Sequence, residues 1–185
     1  MVVNQYCPAR FGRGTLFEVR LVQLDWEKYR SDFRKLAEGF VRALNKFVKV
    51  ERVEFDESVS SNFQDVTVFY INPKTQEIEQ VRFSTFADRL PQTIDLALTW
   101  FFNAAGLDWW CYRREHSRNI IVYNGDAMRS NITINILSIP WDWVDVDRPV
   151  EVEVWRDHRE LIYKDKISIF DIFDFVVSAF TLLHL

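Results

Sequence analysis

Glycine and proline number five each in 185 residues, histidine three and cysteine two. Each scarcity excludes something. So little Gly and Pro leaves no flexible linker and no low-complexity segment. It also makes a backbone cradle for phosphate hard to build, and no Walker-A loop, G-x-G-x-x-G, G-x-S-x-G or H-E-x-x-H occurs. The two cysteines, Cys7 and Cys111, form no C-x-x-C pair and are expected as reduced thiols. With His116, His158 and His184 they still make no zinc spacing, so neither a metal nor a cofactor is expected. A basic lead followed by an apolar run is missing from the N-terminus, and no apolar stretch reaches the 20 or so residues that span a bilayer. The expected setting is therefore the cytoplasm, or a virion, without a membrane span.

What the chain has in quantity is aromatic side chains: 16 Phe, 7 Trp and 6 Tyr. Hydrophobic residues make up 48% and charged residues 27%, enough for a sizeable core. The net charge of −4 and the pI near 5.4 argue against whole-surface attraction to nucleic acid.

The clearest element is a helix over Asp25–Val48. Trp26, Tyr29, Phe33, Leu36, Phe40 and Leu44 recur at steps of three and four, with Lys28, Arg30, Asp32, Arg34 and Lys35 on the other face. Asp25 is a natural N-cap. Gly39 interrupts the helix at a cost of about 1 kcal/mol against Ala, a cost that close packing of a neighbour would justify. Before it, residues 1–14 read as an irregular lead containing Arg10-Phe11-Gly12-Arg13-Gly14, and 15–24 as a strand. After it come a strand over 49–55, a loop over 56–64, and a hairpin of 66–71 with 77–83 about Asn72-Pro73. A helix beginning at Ser84 or Thr85, or nearer Leu90 because of Pro91, runs to Ala105 and stops at Gly106. Three strands (107–113, 119–123, 132–139), an acidic and aromatic loop (141–149), a hairpin (150–155 with 161–164) and a helix capped by Ser168 complete the chain. This order predicts a single α+β domain over 15–185, a mostly antiparallel sheet packed by about three helices. Val66-x-Val68 and Val152-x-Val154 each open a hairpin followed by a capped helix, so a repeated β-hairpin–helix unit is a further expectation.

Three functions from different classes fit this inventory. Surplus aromatics point to a non-catalytic protein-interaction or assembly subunit that binds a protein partner or itself. Its candidate anchors are Trp141, Trp143, Trp109, Phe173 and Phe180. The tract Tyr112-Arg113-Arg114-Glu115-His116-Ser117-Arg118 instead suggests a nucleic-acid-associated protein or small hydrolytic enzyme using Arg113, Arg114, His116 and Arg118. That reading requires the four side chains to converge. A carrier of a small apolar ligand would need a cavity between sheet and helices. Two further charged groups, Arg156-Asp157-His158-Arg159-Glu160 and Asp142, Asp145 and Asp147, read as a hairpin turn and a solvated loop.

Overall fold

The computed structural model describes residues 2–4, 9–11, 15–17, 23–56 and 63–182, with side chains at 24–56 and 63–181. Cys7, residues 18–22 of the first expected strand, most of the 56–64 loop (57–62) and His184 lie outside the described residues.

Three helices and two main antiparallel sheets make an α+β fold. Short ribbons precede them: β1 (Val2–Asn4) pairs with β4 (Gln23–Asp25), and β2 (Ala9–Phe11) with β3 (Thr15–Phe17). The long helix α1 covers Trp26–Leu44. The Asp25 carboxylate accepts from the amides of Glu27 and Lys28 at 3.1 and 3.2 Å, satisfying donors that the helix start leaves unpaired. At the other end Asn45 turns the chain and its side chain accepts from the Val50 amide.

The strands divide between a sheet of β5 (Lys49–Asp56), β6 (Phe63–Ile71) and β7 (Ile78–Phe86), and a second sheet in the order β12-β11-β10-β9-β8. The members of the second are β8 (Trp109–Tyr112), β9 (Ile120–Asn124), β10 (Ile132–Leu137), β11 (Val150–Arg156) and β12 (Glu160–Ile167). α1 lies against β5 and β6, α3 (Ile172–Leu182) lies on β10, and the two helices touch each other between the sheets. α2 (Leu90–Ala105) contacts β7 and β8, closing the side of the sandwich between those edge strands. Alternation decides the faces: Ile120, Val122, Ile134, Ile136, Val150, Val152 and Val154 are all buried, and their register places them on the inner face. Phe40 sits where the layers meet, its ring centroid 5.0 Å from Phe83, 5.5 Å from Phe101 and 5.3 Å from Phe173.

Ser84 and Thr85 do not begin a helix. They complete β7, and α2 starts at Leu90 with Pro91 in its first turn, where the missing N–H costs nothing. The β-hairpin–helix order occurs twice, as β6-β7-α2 and β11-β12-α3, and each time the second hairpin strand is a sheet edge. The first unit belongs to the three-stranded sheet and the second to the five-stranded one.

Gly39 has the close neighbour that its position suggested. A Cβ there would stand 2.7 Å from the Phe170 carbonyl oxygen. That oxygen is backbone and cannot rotate away. Gly39→Ala therefore lowers stability by about 1–2 kcal/mol, although an unobstructed helix would gain about 1 kcal/mol from it. A urea titration settles the sign, and a stabilised variant would mean that α1 and the turn before α3 separate easily.

Candidate functional site

The Trp-rich loop is stitched into the fold. Trp143 donates its amide to Ala87 O at 2.9 Å, and its indole to the Thr85 hydroxyl at 3.1 Å. Leu90, first residue of α2, donates to Trp141 O. Asp142 caps a single 3-10 turn (Trp143–Asp145) by accepting from Val144. Burial, then the charge of Asp145, raises the Asp142 carboxyl above the ordinary Asp value. Trp143 is 1% exposed, edge-on to Tyr29 and Phe33. Burial of the Tyr29 phenol, which donates to Thr85 O, pushes its pKa well above the usual value.

Two of the other interface candidates are as internal as Trp143, and Trp109 is partly buried against the core. Phe173 and Phe180 are buried, and Trp109 stacks on Phe180 with centroids 4.0 Å apart. Only Trp141, 48% exposed with the Arg118 guanidinium 5.7 Å from its ring, remains at the surface. Of the five candidate anchors, then, four serve the chain's own core.

Nor do the basic residues converge. Arg113 is spent on its own loop, donating to Arg114 O and Ser117 O, with its Nε 3.7 Å from Asp95 on α2. Arg118 donates to Ile139 O at 2.8 Å and Ser138 O at 3.3 Å, fastening the entry of β9 to the exit of β10. Arg114 is exposed, and His116, on left-handed backbone, meets solvent beside Glu115. A grip on phosphate needs these guanidinium groups free and aimed at one point. In the second charged group, Asp157 and His158 both have positive φ and form the β11–β12 turn, the His158 ring lying 3.2 Å from the Thr133 hydroxyl.

Among the described residues no group of three or more His, Cys, Asp and Glu is placed to hold a metal. A cavity of about 100 Å³ lies beside the start of α1, but Lys28 and Asp32 line it together with Tyr29 and Trp143. Asp32, expected on the solvated face of α1, is buried there and paired with Lys28 at 2.6 Å; Lys28 also reaches Asp147 at 2.8 Å. Such a lining suits a structural ion network better than an apolar ligand. No helix among the described residues is long and apolar enough to cross a membrane.

Exposed apolar side chains occur at several places, Leu161 and Tyr163 of β12 among them, and a neighbouring group of them lies on the outer face of β8 and β9. Because strand neighbours alternate, Trp109 facing α3 forces Trp110 outward and Cys111 facing α2 forces Tyr112 outward. Trp110 pairs with Tyr123, and Tyr112 with Ile121, in adjacent cross-strand positions. Trp110 is 54% exposed, Tyr112 52% and Ile121 37%. Together these three leave about 300 Å² open, a patch at the lower end of what monomers show and of a kind that is often functional. Farther across the same face Trp155 and Asn135 both donate to the Glu153 carboxylate. Sequence reading missed this patch because it located β8 without assigning its faces; the period-two rule applied to Trp109-Trp110-Cys111-Tyr112 holds the signal.

Beneath Tyr112 and Trp110, the Cys111 thiol is tucked against Asp95 and Thr99 of α2. Burial, and then the charge of Asp95, hold its pKa well above that of a free thiol. In a Cys7→Ser background the native protein is thus expected to react with a disulfide reagent at pH 8 at least ten times more slowly than the urea-unfolded chain. Equal rates would show that the β8 edge opens readily.

Fold and surface together define the class: an α+β protein with helices between two antiparallel sheets and an aromatic patch at one sheet edge. Residues 41–93, from the end of α1 through β5, β6 and β7 to the first turn of α2, match a protein family described as a family of unknown function (DUF6503). That match covers less than half of the chain and stops before β8. No curated protein and no solved structure matches the chain.

Proposed function

We propose that this chain is a non-catalytic interaction subunit of a larger complex, in the cytoplasm or in a virion. It takes a protein partner on the outer face of β8–β9. The supporting observation is the Trp110–Tyr112–Ile121–Tyr123 patch, whose Trp110 and Tyr112 are about half exposed on paired strands. Aromatic side chains held by regular structure lose little entropy on binding, and Trp and Tyr are enriched among the few interface residues whose truncation costs about 2 kcal/mol or more. The patch alone is smaller than the roughly 800 Å² per partner of a standard interface, so it serves as the centre of a wider contact. The test is a photo-crosslinking residue at position 112 in producing cells, with Met128, highly exposed and outside the patch, as the control position. Defined adducts at 112 that vanish on Trp110→Lys and are missing at 128 support this function. No adduct at 112, or the same adducts at both positions, removes it.

A further inference from the structure

The two main sheets expose four edge strands, and three are blunted by charge. β5 carries Lys49, Glu51, Arg52, Glu54 and Asp56; β7 carries Glu79 and Arg82; β12 carries Glu160, Lys164, Asp165 and Lys166. Charges of this kind protect an edge from unwanted strand pairing. β8 reads Trp-Trp-Cys-Tyr, without one charge, and no described strand pairs its outer side.

The hydrogen-bond phase of that edge follows from its neighbour. Gly125 N donates to Asp108 O at 2.7 Å, so Asp108/Gly125 is a bonded pair, and by alternation so are Trp110/Tyr123 and Tyr112/Ile121. Trp109 and Cys111 therefore turn their N–H and C=O groups to the open side. Below the edge runs α2, with Asp95 at Arg113, Thr99 at Cys111 and Phe102 at Trp109. One step round that helix, away from the core, Leu96 (42% exposed) and Trp100 (39%) lie a turn apart.

We propose that the open edge of β8 accepts an extended apolar segment of a partner protein as a sixth strand. The segment bonds to the backbone of Trp109 and Cys111. Its alternate side chains cover Trp110 and Tyr112 on the outer face and Leu96 and Trp100 on the inner one. The outer face is aromatic, and on the inner side Leu96 and Trp100 stand beside the polar Thr99, so a segment that covers all four apolar side chains is apolar at consecutive positions. A second copy of this chain does not fit edge to edge. Each copy carries its α2 against both β7 and β8, so two such helices would crowd under one joint of ~4.8 Å strand spacing, whereas packed helix axes need about 8–10 Å. The incoming strand thus comes without a helix beneath it. This inference rests on the function proposed above and adds the mode of binding.

The experiment is selection of a random heptapeptide phage library on the whole chain, with Trp110→Lys and Leu96→Glu variants checked for native circular dichroism. Enriched peptides are expected to be apolar at consecutive positions and to slow amide exchange at Trp109 and Cys111. They lose at least 30-fold in affinity when their alternate backbone amides are methylated, and at least 10-fold against either variant. Peptides that lose affinity against Trp110→Lys but tolerate N-methylation overturn the sixth strand while leaving the interaction face standing. If nothing is enriched over the Trp110→Lys control, both fall. A sedimentation mass of twice 22.1 kDa that Trp110→Lys halves would make the occupant a second copy and overturn the proposal.

Discussion

Replacing Phe40 by alanine lowers the unfolding free energy by about 3–5 kcal/mol, a large fraction of the 5–15 kcal/mol that holds a domain of this size. Phe40 is fully buried, and its ring touches one aromatic from each of three other elements: Phe83 of β7, Phe101 of α2 and Phe173 of α3. Truncation removes the transfer energy of the ring and leaves a cavity bordered by rigid rings, which collapse less readily than aliphatic side chains. Since the three neighbours belong to β7, α2 and α3, the loss loosens the joint between the three-stranded sheet and the helices. The measurement is urea denaturation followed by far-ultraviolet and by near-ultraviolet circular dichroism. A cost near 1 kcal/mol would mean that the layers repack around the hole, and that the aromatic joint is not what couples them.

Trp143→Ala is expected to cost about 3–5 kcal/mol as well, and Trp141→Ala about 1 kcal/mol or less. The two residues are separated by one position in a loop, yet their surroundings differ in kind. Trp143 is enclosed by Tyr29 and Phe33 and donates its indole N–H to Thr85, whose hydroxyl also contacts Thr93 of α2. Removing it empties a site at which α1, β7, α2 and the loop meet. Trp141 keeps half its surface in water and has Arg118 as a ring contact, a cation–π arrangement worth about 0.5–1 kcal/mol at an exposed site. Trp143→Phe separates the terms, keeping most of the volume and losing one hydrogen bond of about 1 kcal/mol. Equal costs for the two alanine variants would contradict the burial difference on which the reassignment of Trp143 from interface to core depends.

Much of the fold was legible from residue order. The 3.6-residue recurrence from Trp26 to Leu44, the cap at Asp25, the turn at Asn72-Pro73 and the stop at Gly106 are local chemistry, and each element formed close to where that chemistry put it. Where local signals competed, the outcome turned on neighbours. Ser84 and Thr85 resemble a helix start, but pairing with Asp65 and Gln64 keeps them in β7. Asp32 belongs by charge to the solvated side of α1, but its own ion pair with Lys28 offsets its burial.

The sequence by itself determined the classes of element, their order, the apolar faces of α1 and the absence of recognisable catalytic motifs. These depend on interactions between residues a few positions apart. The tertiary structure alone decided how the strands divide into two sheets, which aromatics are spent inside and which remain outside. Alternation along β8 puts Trp109 and Trp110 on opposite faces, but which of the two goes inward is decided by Phe180 of α3 and Phe102 of α2, which pack against Trp109. Arg113 and Arg118 look free in a linear reading because the carbonyls that hold them, Ser117 and Ile139 among them, come within reach only when the loops close. Where a side chain goes depends on contacts between distant segments, and periodicity along one segment carries no record of them.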